Sequence, residues 1–157
     1  MDYTPTGVGT ETFTYTVGDG TPGSEDTATV QVTVEPATID LRAYSILAYG
    51  GSQDGTGSAT VTGAGSTLTL EGNAWKAIAF DYTITSRTVL EFDFQSSIEG
   101  ELHTIGFDTD LAYSIGFSFQ VHGTQSAGYQ DFNDYVPAAT RHYTIPVGQF
   151  QTGAYDY

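Results

Sequence analysis

A chain of 157 residues with nineteen Asp or Glu, four Lys or Arg and no Cys is long enough for one domain and a small appendage, and it excludes disulfides, thiolate metal sites and thiol catalysis. Its formal charge of −15 offers no basic footprint for nucleic acid and is repelled by an anionic membrane surface. The same excess of carboxylate suits a calcium-rich exterior, where divalent cations offset the repulsion.

Nineteen Gly, eleven Tyr and nine Phe, with no amphipathic helical stretch, describe an all-β chain. No apolar run approaches the roughly 18 residues that span a bilayer, so membrane insertion is not expected. The opening "MDYTPTGVGT" has neither the basic start nor the apolar stretch of a signal peptide. Any export signal is therefore expected outside this chain, which reads as a piece of a longer secreted or cell-surface protein.

In chain order, "ETFTYTV" at 11–17 alternates Phe13 and Tyr15 against Thr, "GDGTPGSED" supplies a turn, and "TATVQVTV" at 27–34 alternates again. The pattern predicts a two-stranded hairpin with a long loop. "EPATI" at 35–39 breaks it and serves as a linker, placing a boundary between a unit at 1–36 and a second at 37–157. In the second unit strands are expected at 43–49, 57–62, 66–71, 74–81, 88–95, 101–107, 115–122 and 141–147. That spacing suggests an antiparallel sandwich of jelly-roll type. Residues 123–140 form a long aromatic-rich loop of the kind that often carries function. Ala154 to Tyr157 read as the opening of a further strand, cut short.

The strand at 88–95 draws attention because its polar residues are acidic. Leu90, Phe92 and Phe94 share one face, and Glu91, Asp93 and Gln95 the other. A laminarinase-like glycoside hydrolase carries Glu-x-Asp-x-Glu on one strand, and the retaining mechanism needs both Glu. Here Gln95 stands where the general acid belongs, and an amide donates no proton, so catalysis is not expected.

Binding is the alternative use of such a face. On "GFSFQVH", Gln120 and His122 oppose Phe119 and Val121. If this strand shares a sheet with 88–95, then Glu91, Asp93, Gln95, Gln120 and His122 form one polar surface able to hydrogen-bond a sugar. Trp75, Tyr113, Tyr129, Phe132 and Tyr135 are available to stack on a pyranose ring. The bland reading is that any sheet packed on one side shows polar residues on the other, and that Trp75, beside Ala77 and Ala79, packs in the core.

Asp108 and Asp110, with Glu101 nearby, supply two or three of the six to eight oxygens that calcium takes, against a plain turn reading. Asp19, Glu25 and Asp26, and later Asp131 and Asp134, read as turn residues. His103, in phase with Ile105 and Phe107, is expected buried and hydrogen-bonded, and His142 beside Arg141 at the surface.

Two resemblances join these readings. "DYTPTGVGTETFTYTVGDG…DTATVQVTV" (2–34) resembles the C-terminal part of a bacterial cadherin-like or Ig-like tandem repeat. "GNAWKAIAFDYTITSRTVLEFDFQS", "GELHTIGFDTD" and "HYTIPVGQFQTGAYDY" resemble a carbohydrate-binding-like β-sandwich module of large secreted bacterial proteins. In that pattern further strands follow the final Gly-aromatic segment, and here they do not. The resemblances imply a non-catalytic polysaccharide-binding module with covalently linked neighbouring modules as partners; the Asp108, Asp110 and Glu101 set adds calcium as a candidate structural cofactor. A calcium-stabilised adhesion or spacer module is the alternative, and a divergent hydrolase the third reading.

Overall fold

The computed structural model describes residues 9–34 and 38–157; the Tyr-x-Pro opening at 3–5 and linker residues 35–37 lie outside the described residues. The chain divides into two compact units, Met1–Ile39 and Asp40–Tyr157. Both are all-β, and among the described residues no helix is long and apolar enough to cross a membrane.

In the first unit β1 (Gly9–Val17) pairs antiparallel with β2 (Asp26–Val34). Thr at alternate positions puts a ladder of β-branched side chains on one face, with Thr10 opposite Thr33, Thr14 opposite Thr29 and Thr16 opposite Thr27. Phe13 opposite Val30 and Tyr15 opposite Ala28 make the other face apolar. The connecting turn is organised by Asp19, whose Oδ1 accepts the Thr21 N–H at 2.8 Å and the Ser24 hydroxyl at 2.5 Å. These bonds, Ser24's first, hold its carboxyl down at about 2. Asp19 is thus a turn-forming residue in the ordinary sense.

The second unit holds ten short strands: β3 (Leu47–Ala48), β4 (Ser58–Thr62), β5 (Thr67–Glu71), β6 (Lys76–Ala77), β7 (Tyr82–Ile84), β8 (Leu90–Phe94), β9 (His103–Gly106), β10 (Ser118–His122), β11 (Arg141–Ile145) and β12 (Gly153–Tyr155). They pair two by two, β3 with β6, β4 with β5, β7 with β12, β8 with β11 and β9 with β10, all antiparallel. Among the described residues no sheet exceeds two strands.

Several expected strands are shorter than their alternation suggests. At 43–49 only the last residues pair, because Asp40 caps a 3-10 turn at Leu41–Ala43 by accepting the Arg42 N–H at 3.0 Å. The run 74–81 splits because its backbone changes partner. Trp75 to Ala77 bond to β3, whereas Phe80 donates to Asp156 O at 2.8 Å and β7 pairs with β12. The segment at the end of the chain is therefore a paired strand.

The core gathers Ile84 of β7, Phe119 and Val121 of β10, Tyr143 and Ile145 of β11, Val147 and Tyr155. Leu90, Phe92 and Phe94, the inward face of β8, pack against it as their alternation requires. Phe119 and Ile145 are fully buried, each contributing about 1.5–3 kcal/mol relative to exposure. The 123–140 loop covers this core. Its backbone lies parallel to β10, with Gln120 N–H bonding Tyr129 O and Tyr129 N–H bonding Ser118 O, both at 2.9 Å. Gly128 permits the approach: its φ is +60°, and a Cβ there would stand 2.1 Å from Ser118 O.

Candidate functional site

The face expected from β8 and β10 does not form, because β8 pairs with β11 and β10 with β9. Glu91 and Asp93 do point outward, but opposite Thr144 and His142 of β11. Asp93 Oδ1 meets His142 Nδ1 at 2.8 Å, with both side chains about two-thirds exposed. Gln95 is exposed just past the strand. The rings of β8 and β11, Phe92, Phe94 and Tyr143, face the core, so this polar strip carries no stacking ring of its own.

Gln120 and His122 are corrected from surface to interior. Gln120 is fully buried: its Nε2 donates to Gln125 O at 2.6 Å, and its Oε1 accepts the Ala127 N–H at 2.8 Å and Gln130 Nε2 at 2.9 Å. It braces the overlying loop. His122 is 7 % exposed. A register shift between Gln120 and His122 sets it opposite His103, with the two rings stacked 5.5 Å apart. His103 is half-buried, and its Nε2 accepts the Gly100 N–H at 3.1 Å.

Two expected platforms are also largely used up. Tyr135 is buried, its hydroxyl bonded to the Ser96 backbone and to Ala139 O, because the loop that carries it folds down onto Val121. Tyr129 is half-buried, stacked on Phe119 and edged by Phe150.

The proposed calcium set is not assembled. Asp108 is buried, and its oxygens accept the Tyr49 hydroxyl at 2.6 Å and the Thr109 N–H at 2.7 Å. Asp110 caps its own turn through Ala112 N–H at 2.7 Å, and Glu101 is exposed at the start of the β9 segment. Among the described residues no group of three His, Cys, Asp or Glu could hold a metal ion. Asp134 is occupied by an ion pair with Arg141.

What the fold does bring together is an aromatic trio around Trp75. The Tyr49 ring stacks on Trp75 at 6.5 Å and 17°, and Tyr113 meets Trp75 edge-on at 5.2 Å. Three chain segments meet there: Tyr49 N–H bonds Trp75 O at 2.9 Å, and Gly50 N–H bonds Leu111 O at 2.8 Å. The polar frame is equally fixed. Trp75 Nε1 donates to Asn73 Oδ1 at 3.0 Å. Asp54 accepts the Trp75 N–H at 3.0 Å and Lys76 Nζ at 2.6 Å, in a pair whose side chains are only 8 % and 16 % exposed; the Lys76 bond, first of all, lowers the Asp54 carboxyl. The Tyr49 hydroxyl, donating to Asp108, also accepts the Ser114 N–H at 3.0 Å. Burial first, then Asp108, pushes it up to about 12, so it stays a neutral donor.

Trp75 is thus half-buried, with Tyr113 41 % exposed beside it. Sequence reasoning named both rings but missed Tyr49, Asn73 and the Asp54–Lys76 pair. The usable signal was the run Asn73-Ala74-Trp75-Lys76, in which an amide and an ammonium flank an indole. No protein-family model, no curated protein and no solved structure matches the chain.

Proposed function

We propose that the second unit is a non-catalytic glycan-binding module of a secreted or cell-surface multimodular protein, and that the Tyr49–Trp75–Tyr113 cluster is its sugar platform. The observation that carries this reading is the trio itself: the Tyr49 and Trp75 rings fixed by backbone and side-chain bonds, with Tyr113 packed edge-on and left exposed. Pyranose C–H faces stack on such rings, and fixed polar groups at the rim supply orientation. Gln95 at the place of a second carboxylate supports a binding role over hydrolysis.

A thermal-shift screen against a polysaccharide panel, run once with calcium and once with EDTA, tests the reading, since a ligand that binds the native state raises its melting temperature. One glycan class is expected to raise Tm, and Tyr113→Ala to abolish that rise while the unliganded protein still melts cooperatively. A cooperative melt that no glycan moves overturns the proposal in favour of a spacer.

A further inference from the structure

We infer that the platform selects uncharged polysaccharides and rejects sulfated or uronate-bearing ones; this rests on the glycan-binding reading and adds the chemical class of the ligand. An anionic sugar needs a cation with donors to spare, typically Arg or Lys. The cation at the platform is already paired. Lys76 is held at 2.6 Å by Asp54 in a largely buried pair, so its charge is neutralised where it sits. Elsewhere Arg42 is paired with Asp40 and Arg141 with Asp134.

The remaining charge around the rings is negative. Asp108 bonds the Tyr49 hydroxyl, and Asp110 sits in the turn whose next residue, Leu111, accepts the Gly50 N–H beside Tyr49. With Asp54, three carboxylates lie on the segments that meet at the platform, against the one ammonium of Lys76. A polyanion approaching Trp75 and Tyr113 meets this local excess within the field of a chain carrying −15, and like charges in a shared field repel at low salt. Uncharged hydroxyls, by contrast, find acceptors and donors at the rim without bringing charge.

The test is affinity electrophoresis of the whole chain through polymers that share a backbone and differ in charge: hydroxyethyl against carboxymethyl cellulose, and laminarin against sulfated laminarin. Retardation by the neutral member of a pair and at least about fivefold weaker retardation by its anionic partner at low ionic strength is expected, the gap narrowing as salt screens the repulsion. Asp110→Asn and Asp110→Lys should then raise the ratio of anionic to neutral affinity in steps. Retardation that is stronger with the anionic member and lost in salt overturns the selectivity while leaving a glycan-binding module in place. A ratio unmoved by Asp110→Lys overturns its electrostatic cause. Retardation by no polymer overturns this inference and the glycan reading together.

Discussion

β8 and β10 look alike as sequences and differ in what surrounds them. Both alternate large apolar residues with polar ones, LEFDF in one and SFQVH in the other. On β8 the alternation sorts inside from outside: Phe92 and Phe94 pack on the core while Glu91 and Asp93 are exposed. On β10 all four residues from Phe119 to His122 are buried, because the 123–140 loop closes over the face that would otherwise be wet. The difference teaches that a period of two assigns residues to faces but leaves open whether a second layer covers either one. A polar residue under such a layer must bond the layer, and Gln120 does so at three backbone or side-chain sites within the loop.

The comparison breaks most sharply at Gln120. Gln120→Leu would leave the Ala127 N–H and the Gln125 carbonyl without their partner, at a cost of about 3 kcal/mol, read as a lower midpoint in urea. A variant as stable as the parent would mean the loop is not anchored there.

The second effect is in pH. Burial, and then the adjacent His122, lower the pKa of His103. The unfolded chain therefore takes up the proton first as pH falls below about 6.5. The stability from the neutral ring is complete above that value and is lost as pH falls toward the lower folded-state value. Protonation at Nε2 would also turn the acceptor of the Gly100 N–H into a donor. A declining Tm between about pH 7 and pH 5 is expected, with a shallower slope in His103→Gln. Asp19 and Asp40, both held near 2, do not titrate in that window, so an unchanged slope in the variant would remove His103 as the cause.

The smallest effect belongs to the outer face of β8. Asp93→Ala removes the contact with His142, but both partners are about two-thirds exposed, so stability should move by no more than about 0.5 kcal/mol in the same denaturation. A larger loss would show that this strip, too, is covered.

Much of the local structure was legible. The hairpin of β1 and β2 follows from alternating Thr bounded by Gly and Asp, and the inward set of β8 follows from its period. His103 was readable in part: it is hydrogen-bonded as expected, but half-buried, as is Thr104 of the opposite phase. What could not be read was partner choice. Nothing in 88–95 distinguishes 115–122 from 141–147 as its neighbour, since pairing is decided by long-range packing. The platform was half legible: Trp75 and Tyr113 stand out by type, whereas Tyr49 is 26 residues from Trp75 and joins it only through the β3–β6 ladder. The bond that holds Asp108 was not legible because its hydroxyl partner, Tyr49, lies 59 residues away.

That same Asp108 has a kinetic consequence. Its backbone N–H bonds Tyr157 O at 2.8 Å, its carbonyl accepts from Asp156 and Tyr157 at 3.0 Å, and Tyr155 is buried in the core. During synthesis, then, β7, the Tyr49 clamp and the turn at 108 emerge from the ribosome ahead of their partner segment 153–157, by about half a minute or less at ordinary elongation rates. The second unit cannot lock co-translationally residue by residue. It must wait for 153–157, with the edge of β7 open meanwhile to any other strand that arrives first.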